Sequence, residues 1–201
     1  MTALGIVEDV QVFVRKPDPT ILGWLEDCRR HGLDARDEVW DGVLHVVPPP
    51  AFAHQDVATQ LTVALTPASR ARGFRIAHEL GVFDRVGSEA NDRVPDVVVV
   101  RPEHGSVRGA EALSEIVIEV LSPDDGSRDK LPFYARCGIA EVWLLHPLTR
   151  ALEFHLLDGG RYAQQVPDAD GWVHGPALDV WLRVTAEPRL ELRTGDDVTV
   201  I

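Results

Sequence analysis

The sequence predicts an α/β domain of the mixed α+β kind, with a central mixed β-sheet flanked by helices. Three observations carry this. Short apolar, largely β-branched runs recur at Val94 to Val100, Ile116 to Leu121 and Glu141 to His146, as expected of strands inside a sheet. Two longer stretches repeat apolar residues at helical spacing. Two pairs of short runs are separated by turn signals, Asp41-Gly42 and Asp158-Gly159-Gly160. The order is helix, hairpin, helix, strands, helix, strand, hairpin, which suits one mixed domain.

Each element follows from local chemistry. Residues 1–20 end in Lys16-Pro17-Asp18-Pro19-Thr20 and form an N-terminal arm, either a short strand or a loose segment. Ile21, Leu22, Trp24, Leu25 and Cys28 predict an amphipathic helix, with Thr20 as N-cap and Gly32 as stop. Glu38 to Val47 is a hairpin closed by Pro48-Pro49-Pro50. A helix follows from Ala53 to Arg72, built on Val57, Leu61, Val63, Ala64 and Leu65, with Gly73 after it and Pro67 as an alternative, earlier stop. Phe74 to Phe83 alternates in part, as a strand would. Asp129 to Cys137 is a helix, with Asp129 as N-cap, Gly138 as stop, and Asp124 or Asp125 in the preceding turn. Leu152 to Leu157 and Tyr162 to Val166 make the second hairpin. The main unit spans 21–185, and 186–201 form a C-terminal strand or tail.

Composition narrows the function classes. The chain has 201 residues, 45% hydrophobic and 26% charged, which suits one folded domain. Its net charge of −12 counts against a tight, non-specific nucleic-acid binder, yet carboxylates that hold metal ions add to such a count. Cys28 and Cys137 form no zinc or CxxC pattern and read as reduced thiols. No signal peptide and no apolar run of about 20 residues is present, so a cytoplasmic location is expected. No P-loop or dinucleotide fingerprint is present either.

Two acids stand out against apolar surroundings. Asp96 opens the run Val94-Pro95-Asp96-Val97-Val98, and Glu119 lies inside Ile116 to Leu121. A carboxylate among valines and isoleucines is costly unless paired or bound to a cation. Two on neighbouring strands suggest a shared partner, and oxygen ligands suit Mg²⁺ or Mn²⁺. Lys130 opens the next helix, where it either orients an attacking water and stabilises phosphate charge or is a solvated surface lysine.

The segments PDVVVV, IEVLSPDD and DKLPFYARCGIAEVWLLHP resemble the Uma2 family, whose description is "putative restriction endonuclease" and which was once catalogued as a domain of unknown function. The resemblance extends from about Leu22 to Leu182 and includes Asp41-Gly42, Pro49-Pro50 and His54. It implies a restriction endonuclease-like core of the PD-(D/E)XK superfamily. It implies Asp96 and Glu119 as the two acids, and Lys130 as a lysine moved to the following helix, since Leu121 stands where the superfamily has its lysine. The loop before Lys130 is shorter than usual in the family, with Asp125 the best match for the acid that precedes the lysine.

Further residues are candidates by their position in the sequence. Glu79 is either an additional metal ligand or an exposed strand residue, and the Val120 carbonyl is a natural extra ligand. Tyr134 matches the family's helix tyrosine and packs under the site. His54 either serves the site or caps its helix. Arg70, Arg72 and Arg75 either meet a DNA backbone or form a solvated helix end. Trp143 and Leu145 are core residues, and His78, His104, His146 and His155 have no assigned role. The leading expectation is an endonuclease on DNA, dependent on Mg²⁺ or Mn²⁺ and homodimeric. The alternatives are an inactive nuclease-fold binding or assembly protein and a hydrolase of another phosphoester.

Overall fold

The computed structural model describes residues 12–14, 18–84, 91–111, 114–122 and 126–201. Strand β1 (Val12–Val14) precedes helix α1 (Pro19–Arg30). Asp18, not Thr20, caps α1. Its carboxylate accepts the amides of Thr20 at 2.8 Å and Ile21 at 3.0 Å, because Pro19 suits the first helical position and moves the start back. The hairpin of β2 (Glu38–Trp40) and β3 (Val43–Val46) turns at Asp41 and Gly42, with φ of 48° and 82°. These left-handed values are what a two-residue hairpin turn demands.

Helix α2 (Phe52–Ala71) passes through Pro67 instead of stopping there. Pro67 is exposed, so the carbonyl it leaves unpaired faces water, while Leu61, Leu65 and Ala68 pack on the buried side. The expected Phe74–Phe83 strand is two strands in different sheets, β4 (Arg75–His78) and β5 (Val82–Phe83). Glu79, at φ 47°, turns the chain between them. Then come β6 (Asp92–Arg93), β7 (Val97–Val100), β8 (Ala110–Glu111) and β9 (Ile116–Val120). A 3-10 turn (Ser127–Lys130) leads into α3 (Leu131–Arg136). Asp129 is therefore not an N-cap: it lies inside the 3-10 turn, and Pro132 confines the α-helical start to Leu131. Asp124 and Asp125 lie outside the described residues.

The remaining strands are β10 (Glu141–Leu145), β11 (Leu152–Asp158), β12 (Arg161–Gln164), β13 (Trp172–Gly175), β14 (Val180–Val184), β15 (Leu190–Thr194) and β16 (Asp197–Val200). Three sheets result. The central mixed sheet has the order β12-β11-β10-β9-β7-β4, with β9 and β10 parallel and the other pairs antiparallel. A second sheet runs β1-β3-β2-β6-β5-β8, and a third runs β13-β14-β15-β16. Residues 186–201 contribute β15 and β16, which continue the sheet begun by β13 and β14.

Two cores flank the central sheet. On one face Val97, Val99, Ile116, Ile118 and Trp143 pack with Leu61 and Leu65 of α2 and with Leu182 and Leu192 of the third sheet. On the other, Val98, Val117, Val142 and Leu144 pack with Phe133 and Tyr134 of α3. Strand alternation assigns every second residue to each core.

Candidate active site

Strands β7 and β9 pair antiparallel through Val97↔Ile118, Val98↔Val117 and Val99↔Ile116. By alternation Glu119 shares a face with Val117, on the α3 side of the sheet. Asp96 stands immediately before β7, at the same end of the sheet, and its carboxylate meets β9 and His54 of α2. Asp96 Oδ2 accepts the amide of Val120 at 2.7 Å, which locks this carboxylate to the strand carrying Glu119.

Lys130 reaches the same place from the 3-10 turn. Its Nζ lies 3.1 Å from Glu119 Oε1 and 2.8 Å from Glu38 Oε1. Tyr134, one turn further on, donates its hydroxyl to Glu119 Oε1. Glu38 also accepts the Val94 amide at 2.8 Å and the Trp40 indole N–H at 2.7 Å. Burial raises the Glu38 carboxyl, but the charge and hydrogen bond of Lys130, with those two donors, outweigh it and hold the group below its ordinary range. Glu119 goes the other way. Burial, with Asp96 and Glu38 nearby, pushes it up to about 7 despite Lys130. Burial opposes the charge on Lys130, yet the two glutamates more than offset this and keep it protonated. Of the two acids on Lys130, Glu38 is held below its ordinary range and Glu119 is pushed above it.

His54, at the start of α2, adds a further contact. Its Nε2 lies 3.3 Å from Asp96 Oδ2, and the ring also hydrogen-bonds the main chain of Val120. Its Nδ1 is buried without a partner. Burial lowers its basicity, but the Asp96 bond and charge raise it above the ordinary histidine value.

The structure thus brings Asp96, Glu119, Lys130, Val120 and His54 together. It does not bring the arginines there. Arg70 lies 16 positions beyond His54 on the same helix, about 24 Å away at 1.5 Å per residue. Arg72 faces Asp179 at 3.8 Å, and Arg75 donates to its neighbour Phe74. Glu79 donates its amide to the Asp96 carbonyl at 3.1 Å, but its carboxylate goes to Arg36 and Gln55, each at 2.9 Å. Among the described residues, no three His, Cys, Asp or Glu side chains converge to hold a metal ion.

Sequence reasoning missed Glu38. Its signal was a charged residue sharing the alternating face of Trp40 in an otherwise apolar hairpin strand. It also missed Arg93, whose guanidinium lies 4.5 Å from the Trp40 ring and 4.3 Å from the Phe133 ring. Arg93 packs the second sheet onto α3 beside the acids and donates to the carbonyls of Val39 and Asp92.

The model of the Uma2 family, described as "Putative restriction endonuclease", matches residues 25–187. The chain belongs to the Uma2 family. Among solved structures, the fold is similar to a "putative nuclease belonging to DUF820" from Anabaena variabilis, with a TM-score of 0.58 and 19% identity. That match covers 71% of this chain and 83% of the other. No curated protein matches the chain. Membership agrees with a nuclease-type fold. No helix among the described residues is long and apolar enough to cross a membrane.

Proposed function

We propose that this Uma2 protein is a metal-dependent endonuclease that hydrolyses DNA phosphodiester bonds, with Asp96, Glu119 and Lys130 as its catalytic residues. The observation that carries the reading is the buried contact of Lys130 with Glu119 beside Asp96. It joins an acid–lysine pair to a second acid on the adjacent strand, although the lysine comes from the following turn.

The donor set fits a divalent cation. Lys130 meets Glu38 and Glu119 with Asp96 beside them, and burial, with the charges of Asp96 and Glu38, pushes Glu119 up to about 7. A cation would take the place of the Glu119 proton. Mg²⁺ is commonly held through one or two carboxylates and several waters. Asp96, Glu119 and the Val120 carbonyl therefore suffice without a third side chain, and Mn²⁺ suits the same oxygens. When bound, the ion supplies Lewis acidity and an activated water.

The chain's own residues do the rest. Glu38 holds Lys130, whose ammonium sits where charge builds on a phosphate during cleavage. Tyr134 fixes the Glu119 carboxylate, and His54 with the Val120 amide fixes Asp96. Glu79 serves better as a tie between Arg36 and α2 than as a ligand. A cytoplasmic homodimer with one site for each DNA strand is the working form this reading implies.

Cleavage of plasmid DNA in Mg²⁺ or Mn²⁺ tests it. Asp96→Ala and Glu119→Ala each abolish cutting, and Lys130→Ala lowers it by about 10²-fold or more. Wild-type activity in either acid variant would remove the mechanism.

A second reading is favoured by one observation. Lys130 is saturated by two carboxylates, and its side chain is only 12% exposed. A nuclease-fold protein that binds or assembles without cutting would tolerate this. It predicts no cleavage and no Mg²⁺ or Mn²⁺ binding by calorimetry. Binding that is lost in Asp96→Asn would count against it.

A further inference from the structure

A cavity of about 480 Å³ opens beside the proposed site, between α1, the β2–β3 hairpin and the ends of β5 and β6. It falls in the size range of small-molecule pockets. Val94, which lines it, is two residues from Asp96, so the two Cα atoms are at most about 7 Å apart. Glu79, also in its wall, bonds through its amide to the Asp96 carbonyl. Val39, Leu44, Phe83 and Asp92 line it from the face of the second sheet opposite Glu38 and Arg93, so the cavity adjoins the site at its Asp96 end, across Glu79, and not on the Lys130 side.

Its lining selects which part of a nucleotide enters. Leu44, Phe83 and Val94 supply apolar wall, while Asp37 and Asp92 supply acid and Glu79 is held by Arg36. Such a wall repels phosphate and favours a flat, neutral body with N–H donors. Two exposed cations also line it: Arg108, 4.2 Å from the Phe83 ring, and Arg29, which pairs with Asp34 at 3.7 Å, and a backbone would pass these. We infer that this cavity receives a nucleobase bearing an exocyclic amino group, swung out of its stack beside the scissile phosphate, so that the substrate is DNA with unpaired or bulged bases. The inference rests on the endonuclease reading above.

The chemistry of the acids matches. A carboxyl group can accept from an exocyclic amino group, as acids do from cytosine N4. Burial first, and then the charge of Glu38, push Asp92 up to about 6, so its carboxyl can also donate to a ring nitrogen. Thymine, with no amino group, offers less. Extrusion costs least for a base that is already unpaired, which is a source of selectivity.

The test uses the full-length Asp96→Ala protein, which cannot cut under this reading, and fluorescence anisotropy at fixed salt. Three labelled duplexes are compared: fully paired, with one bulged adenine, and with one bulged thymine. The thymine bulge controls for DNA flexibility. The expected result is adenine-bulge binding about tenfold tighter than either of the others. Leu44→Trp, which fills the cavity, and Asp92→Asn, which keeps its size, each bring that ratio toward one. Equal affinity for the three duplexes overturns the inference, and so does an adenine preference retained in a folded Leu44→Trp protein. Cleavage of paired DNA by the wild type alongside equal affinities overturns this inference and leaves the nuclease reading standing. No binding to any duplex, together with no cleavage, overturns both.

Discussion

The tripeptide Glu-Val-Trp occurs twice, at Glu38-Val39-Trp40 and at Glu141-Val142-Trp143, and each copy begins a strand. In both, the tryptophan indole donates to the glutamate two residues earlier, at 2.7 Å and 3.0 Å. In both, the glutamate is buried and accepts one main-chain amide, from Val94 or from Ala177. The difference is a lysine. Glu38 has Lys130 at 2.8 Å and titrates below its ordinary range. Among the described residues Glu141 pairs with no lysine or arginine, and burial outweighs its two donors and pushes it up to about 7. The same local chemistry gives an acid held below its ordinary range in one copy and one pushed up to about 7 in the other. The charge of the candidate site is therefore a long-range property, brought by a residue 92 positions away.

The strongest way to break this comparison is to remove the lysine. Lys130→Met leaves Glu38 and Glu119 buried together without their cation. Breaking one side of a buried ion pair costs about 3–5 kcal/mol. Urea denaturation at pH 8 should show a loss of that size. A loss below about 1 kcal/mol would mean that Glu38 resembles Glu141 even when Lys130 is present.

The second test acts on the other copy. Folded Glu141 keeps its proton up to about 7, whereas the unfolded chain loses it near 4.5. Between these values the folded state binds more protons, so stability falls as pH rises. The penalty is absent below pH 4.5 and complete above pH 7, and amounts to about 3 kcal/mol at 1.36 kcal/mol per unit. Glu141→Gln removes it. The stability difference between this variant and the wild type should move in the variant's favour by that amount between pH 4.5 and 8. A difference that stays constant across that range would show that Glu141 is ionised in the fold.

Glu141 also explains how far the site was legible in sequence. Asp96 and Glu119 were identified because an acid in an apolar strand needs a reason. Glu141, in Glu141-Val142-Trp143-Leu144-Leu145, meets the same criterion, yet an amide and an indole satisfy it and, among the described residues, no lysine joins it. Glu38 belongs to the cluster but was not singled out, because its partners Lys130 and Val94 come from other elements. The hairpins and α2 were legible because turn glycines and helical spacing are local signals. The extent of the second sheet was not. It depends on β5, β6 and β8, two residues each, too short for alternation to show. Asp18 displaced Thr20 as cap for a local reason, Pro19, that was visible but not weighed.

The finest test separates the two indole bonds. Trp40→Phe and Trp143→Phe each keep an aromatic ring and remove one N–H donor. Each also leaves a smaller ring in place, but that packing loss does not depend on pH and cancels when one variant is compared with itself at two pH values. Glu38 is ionised at both pH 6 and pH 8, so the cost of Trp40→Phe should stay level. Glu141 is mostly protonated at pH 6 and mostly ionised at pH 8. A hydrogen bond to a neutral group contributes about 0.5–1.5 kcal/mol and one to a charged group about 1.5–3 kcal/mol. The cost of Trp143→Phe should therefore grow by about 1 kcal/mol over that interval. If both costs change equally, the two glutamates share one protonation state, and Lys130 is not what distinguishes them.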